Sequence, residues 1–175
     1  DYYEEALSRD PDDVRNNNAM GLWLIRKGQF AKAEPYLRRA VKTLTEKNPN
    51  PYDGEPLYNL GLSLKYQGKT DEAYDCFYKA CWNAAWQDAG YYSLAQLSAS
   101  KGNWEDALYE IDKSLLRNWH NLRGRHLKAV VLRHLGRVDE ALDLIRESLA
   151  IDCFNFGCSF EEYLLTGEKA VLDDL

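Results

Sequence analysis

Between Leu57 and Ala80 the sequence reads LYNLGLSLKYQGKTDEAYDCFYKA. Apolar residues recur three and four positions apart on both sides of Gly68, a spacing that is typical of two amphipathic helices. We expect Gly68 to end the first helix, because the residue just past a helix commonly has positive φ, which glycine adopts without steric cost. The segment therefore predicts two helices joined by a tight turn.

The spacing of Gly68 and Ala73, five residues apart, recurs three more times along the chain. The other pairs are Gly28/Ala33, Gly102/Ala107 and Gly136/Ala141. Successive glycines are 40, 34 and 34 residues apart, and a period in this range indicates an array of stacked structural repeats. We expect each alanine to lie where two helices approach closely, because close packing leaves no room for a larger side chain.

Two helix starts can also be predicted. Thr70 offers a hydroxyl as N-cap, and Asp71 and Glu72 then lie in the first turn, where the helix dipole favours negative charge. Near the end of the chain, Ser159 and Glu162 have the spacing of a capping box, so we expect a helix to begin there.

These residues resemble the tetratricopeptide repeat family, whose 34-residue unit carries W-x2-L-G-x2-Y, then A-x3-F, then P. The best match has Leu57, Leu60, Gly61, Leu64, Ala73, Phe77 and Ala80 at the family positions. The resemblance implies an all-α fold in which helix-turn-helix repeats stack into a right-handed superhelix. It divides one continuous domain into the second half of a repeat (1–13), repeat 1 with a six-residue insertion (14–53), repeat 2 (54–87), repeat 3 (88–121), repeat 4 (122–155) and a C-terminal capping helix segment (156–175).

Repeat 4 departs from the family pattern. Arg125 and Lys128 stand where the family has apolar residues. We therefore expect the first helix of this repeat to be rotated or shifted by one residue, with Leu127 turned toward the core instead.

The opening residues look like the end of a repeat. The chain begins without methionine, and Tyr3, Ala6, Leu7 and Pro11 occupy slots of a second repeat helix. We therefore expect the chain to be a fragment of a longer array, with upstream sequence that the fragment lacks.

The composition of the chain excludes some classes of function. The chain is 45% hydrophobic, which is ample for a core, and its net charge of −6 argues against nucleic acid as the main partner. No apolar run approaches the roughly 20 residues that a membrane span needs, so we expect a soluble, cytoplasmic protein. Cys76, Cys81, Cys153 and Cys158 lack C-x-x-C spacing, which predicts small packed residues in a reducing compartment.

The resemblance also implies where a partner would lie, since the first helices of the repeats line the concave face in this family. The candidate peptide-binding residues at inward slots are Arg15, Asn18, Arg26, Tyr58, Lys65, Tyr66, Tyr92, Gln96, Arg123, His126 and Arg133. The inward slots together hold five cations and one anion, Glu55, so the groove should favour an extended acidic peptide. The alternative is an ordinary solvated helix face whose basic residues keep the array soluble.

Other candidate sites are weaker. His126 and His134 are eight residues apart, too far to chelate a metal from one helix, so we expect exposed polar histidines and no cofactor. Asn18 and Asn59 are isolated matches to the family's carboxylate clamp, and we do not predict chaperone binding. Trp82 and Trp86 are expected to fill the core between repeats.

The sequence therefore predicts a non-catalytic scaffold that binds a peptide or an adjacent domain of its own chain, with neither nucleic acid nor membrane as partner. A sugar-binding or enzyme-accessory module of a larger bacterial protein is one alternative, since Tyr and Trp can stack on sugar rings; burial of all five Trp would remove its main support. Self-assembly into a homo-oligomer, through the N-terminal end or the CFNFGC edge at Cys153 to Cys158, is another.

Overall fold

The computed structural model describes residues 2–46, 48–49 and 51–167, and throughout these residues the regular structure is helical. The elements are α1 (Tyr2–Arg9), α2 (Val14–Arg26), α3 (Phe30–Thr45), α4 (Glu55–Tyr66), α5 (Thr70–Ala80), a short 3-10 helix (Ala84–Trp86), α6 (Gln87–Ser100), α7 (Trp104–Arg117), α8 (Leu122–His134), α9 (Val138–Ile151) and α10 (Phe156–Thr166). The predicted all-α class is confirmed. None of the described helices combines the length and the apolar character needed to cross a membrane.

The predicted helix-ending glycines have left-handed backbone conformations. The φ angles are 70° at Gly28, 77° at Gly68, 77° at Gly102 and 73° at Gly136. At Gly68 the backbone N–H donates to the carbonyl of Lys65, 3.0 Å away, and so satisfies a carbonyl at the helix end. Each such glycine therefore turns the chain from one helix into the next.

The chain divides into two compact units, Asp1–Gly90 and Tyr91–Leu175. In unit 1, α2 packs on α3, and α4 packs on α3, α5 and α2, while α1 packs on α2. In unit 2, α8 packs on α7 and α9, and α10 packs on both α9 and α8. The exact repeat boundaries stay a prediction.

The small residues lie where helices approach most closely. Ala33, Ala73, Ala107 and Ala141 are completely buried, which confirms the expectation of close helix contact at these positions. Gly61 is also buried, and a Cβ atom added to it would lie 2.6 Å from Cε1 of Phe77. The helices of a pair can therefore approach this closely because small residues, as well as apolar contacts, lie between them.

Both predicted caps were wrong. Helix α5 already contains Thr70, because Lys69 is the N-cap, with no side-chain hydrogen bond there. Helix α10 begins at Phe156, since the Asn155 side chain accepts a hydrogen bond of 3.2 Å from the Cys158 N–H, and Ser159 lies buried within the helix. Residues 168–175 of the predicted capping segment lie outside the described residues.

The expected rotation of the first helix of repeat 4 does not occur. Arg125 itself occupies the core position and is completely buried, whereas Leu127 is only half-buried and Leu132 is buried as the family pattern requires. Lys128 reaches outward instead, with its Nζ 2.7 Å from Oδ1 of Asp112. Helix α8 therefore keeps the family register and accommodates two cations in it.

Polar and aromatic contacts allow Arg125 to lie in the core. Its Nε donates to Oγ of Ser148 at 2.8 Å, and its Nη2 is 3.2 Å from a carboxylate oxygen of Glu147. The guanidinium lies 4.4 Å from the ring centre of Trp119, within cation–π distance. A charge can be buried when it is paired and hydrogen-bonded, which is why the helix need not turn.

The four cysteines are unpaired. Cys81 and Cys158 are buried and Cys76 is half-buried, as expected for packed small residues, but Cys153 is exposed and the expectation was wrong there. Burial raises the pKa of the Cys76 thiol to about 11. Within the described residues, no cluster of three or more potential ligands is suited to a metal ion.

Candidate functional site

The first helices of unit 1, α2 and α4, carry six of the predicted site residues. The inward slots on these helices, named here the α2/α4 face, are Arg15, Asn18, Leu22, Ile25, Arg26, Glu55, Tyr58, Leu62, Lys65 and Tyr66. Arg15 and Arg26 are exposed, and the side chain of neither makes a hydrogen bond, ion pair or ring contact with another described residue. Leu22, Ile25 and Leu62 are half-buried, so the face combines two open cations with partly exposed apolar surface.

A pair of asparagines joins the two helices of this face. The buried Asn59 donates from Nδ2 to Oδ1 of Asn18 at 2.9 Å, and the same nitrogen lies 3.5 Å from Oε1 of Glu55. Because Asn18 accepts through its oxygen, its amide nitrogen is directed away from this bond and can serve as a donor. Asn59 thus positions Asn18, which the sequence analysis predicted to be a peptide-binding residue.

Tyr66 forms an exposed aromatic platform at one end of the face. Its ring stacks on Phe30 with 4.7 Å between centroids, while 59% of the residue remains exposed. The Nζ atom of Lys65 lies 5.9 Å from the same ring, and burial lowers the pKa of Lys65. Stacking on Phe30 fixes the orientation of the Tyr66 ring, so that its exposed face is available for contact with a ligand.

Tyr58 contributes largely to packing. Its ring lies 4.9 Å from that of Trp86 and 5.4 Å from that of Phe77, and the residue is half-buried. Trp86 packs as predicted, but the prediction for Trp82 was wrong, because Trp82 is 48% exposed and only meets the edge of Tyr78. The tryptophans are thus not all buried, and the sugar-binding alternative stays a prediction.

In unit 2 the predicted residues fall on α6 and α8. Gln96 donates from Nε2 to the hydroxyl of Tyr92 at 3.1 Å, and both residues are half-buried. Arg123 is exposed, and its side chain makes no hydrogen bond, ion pair or ring contact with another residue that the structure describes. His126 is half-buried rather than exposed, because its ring covers Gly157, where an added Cβ would lie 2.7 Å from it.

Arg133 already has a carboxylate partner. Its Nε lies 2.6 Å from Oε2 of Glu161, whose side chain is only 5% exposed. Glu161 belongs to α10 and faces Arg133 because α10 begins at Phe156, three residues before the predicted start. The sequence held no direct signal for this pair, since the direction of Glu161 depends on that helix start.

A group of charges on α3 and in the turn before α5 is paired within the protein. Glu34 on α3 accepts from Nε of Arg38 at 2.8 Å, from Nζ of Lys69 at 2.7 Å and from Nε2 of Gln67 at 2.9 Å, and Arg38 also pairs with Glu72 at 2.6 Å. Burial raises the pKa of Glu34, but hydrogen bonds from Lys69, Arg38 and Gln67 outweigh it and hold the pKa at about 2. These positive charges are thereby neutralised within the protein.

Comparison with known proteins identifies the repeats. Models of the tetratricopeptide repeat match residues 54–81 and 92–155. The chain belongs to the tetratricopeptide repeat family. Human tetratricopeptide repeat protein 7A is 37% identical over 78 residues, which cover 45% of this chain and 8% of that protein. The chain thus spans a small fraction of that relative's length.

Solved structures share the fold at low sequence identity. YrrB, described as a TPR protein with an unusual peptide-binding site, has a TM-score of 0.78 at 16% identity, covering 98% of this chain and 85% of its own. MamA has a TM-score of 0.74 at 22% identity, covering 85% and 78%. The APC/C hetero-tetramer Cut9–Hcn1 has a TM-score of 0.79 at 18% identity, covering 94% and 32%. At these identities the likeness shows the fold alone.

Proposed function

We propose that this protein is a non-catalytic interaction scaffold that binds an extended acidic peptide on its first-helix faces. The observation that supports it most directly is that the α2/α4 face holds two exposed arginines without a described partner beside partly exposed apolar side chains. Arg15 and Arg26 are exposed without a described partner, whereas Arg38 on α3 and Lys69 in the turn before α5 are held by carboxylates. The first-helix face therefore offers charge that the protein itself does not use.

The spacing of the two arginines suggests the form of the ligand. Arg15 and Arg26 are eleven residues apart, which brings them to the same side of α2 because eleven residues make about three turns. At about 1.5 Å per residue they are separated by about 16 Å along the helix. An extended peptide rises about 3.3 Å per residue, so carboxylates about five positions apart would meet both guanidinium groups.

The surface between the arginines suits the rest of such a peptide. Leu22 and Ile25 lie between them on α2 and are partly exposed, so they can contact apolar side chains. Asn18 can donate to a peptide carbonyl, and Tyr66 offers an open ring face for stacking. Peptide binding by YrrB supports the same use of the fold.

Unit 2 is proposed to offer a second face of the same kind. Arg123 would supply the open charge, and Tyr92, Gln96 and His126 the aromatic and polar contacts. Arg133 is expected to contribute least, because Glu161 already holds its guanidinium.

The test uses fluorescein-labelled 12-residue peptides with two glutamates five positions apart, and matched peptides with glutamine at both positions. Fluorescence anisotropy measures their binding to the whole chain and to Arg15→Glu/Arg26→Glu. We expect the double reversal to weaken binding of the glutamate peptide by about tenfold or more, and the glutamine peptide to bind weakly to every variant.

Lys42→Glu/Lys79→Glu is the matched control, because both lysines are exposed on the second helices and the net charge changes equally. It should alter the affinity by no more than about twofold. An equal loss in the control, or equal binding of the glutamine peptide, would show that overall charge and not the α2/α4 face determines binding.

A further inference from the structure

One end of the α2/α4 face combines an exposed cation with an exposed aromatic ring. Tyr66, the last residue of α4, stacks on Phe30 with 4.7 Å between ring centroids and 23° between ring planes. Phe30 thus covers one face of the tyrosine ring, and the residue is still largely exposed. Arg26, the last residue of α2, is also exposed, and its side chain has no partner among the residues that the structure describes.

Two contacts show that α2 and α4 run in the same direction. In the second turn of each helix, Asn59 of α4 donates to Asn18 of α2 at 2.9 Å. Further along both segments, Tyr66 at the end of α4 stacks on Phe30, which follows the end of α2 after a short turn. Because the contacts occur in the same order along both helices, α2 and α4 are parallel.

Arg26 and Tyr66 therefore lie at the same level of the face. Arg26 is eight residues beyond Asn18 and Tyr66 is seven residues beyond Asn59, so they lie about 12 Å and about 10 Å along parallel axes from the asparagine pair. The axes of packed helices are about 8–10 Å apart. The guanidinium and the ring are thus close enough to contact neighbouring residues of one bound peptide.

The other end of the face has a different composition. Arg15 has Glu55 beside it on α4, because these two residues come three and four positions before the paired asparagines. The next ring along α4, Tyr58, is half-buried and packs against two other rings. The α2/α4 face therefore has an open ring beside Arg26 and a carboxylate beside Arg15, and its two ends are chemically distinct.

The same kind of ring stack recurs in unit 2. In unit 1 it joins Phe30, two positions after one helix-ending glycine, to Tyr66, two positions before the next. The equivalent residues in unit 2 are Trp104 and His134, whose rings are 3.9 Å apart and nearly parallel, with 3° between planes. His134 is exposed, as Tyr66 is. The open stacked ring therefore does not depend on one particular side chain, and the positions in the repeat determine it.

We propose that the end of the α2/α4 face at Arg26 and Tyr66 selects an aromatic residue of the acidic peptide, next to the carboxylate that pairs with Arg26. The aromatic side chain stacks on the open face of Tyr66, whose other face is held by Phe30. Lys65, with its Nζ 5.9 Å from the same ring, adds positive charge beside the carboxylate. The proposal rests on the proposed function and adds to it a ligand class, aromatic–acidic peptides, and a single direction of binding.

The probes are based on the labelled 12-residue peptide, with glutamates at positions 4 and 9. One probe carries tryptophan at position 3 and another at position 10, so that in either direction of binding one of them places its ring beside Arg26. Anisotropy with the whole chain should show that one of the two binds about three- to tenfold more tightly than the peptide without tryptophan, the size expected for one aromatic pair. The other should stay within about twofold, because its ring lies beside Glu55.

Substitution of the ring tests the site from the side of the protein. Tyr66→Ala should remove the gain from tryptophan, whereas Tyr66→Phe should keep it, because Phe retains the stacking face. Tyr78→Ala is the matched control, since Tyr78 is 52% exposed on α5 and meets another ring edge-on; it should leave the gain within about twofold. Circular dichroism checks that Tyr66→Ala keeps its helical content, as expected for an exposed side chain.

A peptide with leucine in place of tryptophan separates stacking from burial of apolar surface, and it should gain no more than about twofold. The proposal is overturned if neither tryptophan peptide gains affinity, if both gain equally, if leucine gains as much, or if the gain survives Tyr66→Ala. In each of these cases, binding that still requires the glutamates leaves the proposed function standing. If the gain requires Tyr66 but is the same with glutamine at both positions, the aromatic site stands and the acidic-peptide function fails.

Discussion

Replacement of Glu34 by Gln should destabilise the fold at neutral pH and progressively less in acid. Gln keeps the shape of the side chain but removes the charge that accepts hydrogen bonds from Arg38, Lys69 and Gln67. The bonds from Gln67 and Lys69 join α3 to the turn between α4 and α5. The loss should therefore appear in the free energy of unfolding.

The size of the effect follows from the pKa of Glu34, which lies at about 2 instead of 4.5. A shift of this size corresponds to about 3 kcal/mol at most. The side chains of Arg38 and Lys69 are 45% and 42% exposed, so solvent screens the pairs and we expect about 1–2 kcal/mol. Because the folded-state pKa is the lower one, this contribution is complete above about pH 4.5 and is lost as the pH falls to about 2.

Urea unfolding of the wild type and Glu34→Gln at neutral pH, near pH 4 and near pH 2 measures the difference. Glu5→Gln is the control, since Glu5 makes a single pair with Arg9 and both are largely exposed; it should cost no more than about 0.5 kcal/mol. The reasoning fails if the Glu34→Gln penalty is the same near pH 2 as at neutral pH, or if Glu5→Gln costs as much.

Three further substitutions test the packing. Gly61→Ala should cost about 1–3 kcal/mol in thermal unfolding, because the new methyl group would lie against the ring of Phe77; no loss would mean that the ring moves freely. Gly136→Ala meets no atom within 4 Å, so its cost should be only the about 1 kcal/mol of backbone strain at φ 73°. Arg125→Met should leave stability equal or raise it by about 1 kcal/mol, because the buried Nη groups lack hydrogen bonds, and a loss above about 2 kcal/mol in urea unfolding would contradict this.

The periodic features could be read from the sequence because they depend on local sterics. A glycine five residues before an alanine predicted both a left-handed turn, seen at Gly68, and a buried close contact, seen at Ala73. These requirements are met by residue size alone. They recur in each repeat whatever the remaining side chains are.

The prediction failed in α8 because one long side chain could satisfy a core position in more than one way. Arg125 was expected to turn α8, but its bond to Ser148 and its stacking on Trp119 allow it to stay in the core. Ser148 is 23 residues away in sequence, and the side-chain directions of Trp119 and Arg125 depend on the turn between α7 and α8. The ion pair of Arg133 with Glu161 was also not predicted. It depends on where α10 begins, and Asn155 caps this helix although other residues nearby could also act as N-cap. Whether the predicted site residues bind a peptide is not decided by sequence pattern or by fold.

The order in which the helices pack has a consequence for hydrogen exchange. Within each unit, the helices that pack closely are neighbours along the chain or are separated by a single helix. Stability is therefore transmitted over short distances, and opening can begin at one edge without disrupting the rest. Helix α1, which has no buried residue, should exchange its amide protons long before α3 or α4. Each such opening briefly uncovers the side of α2 on which it rests.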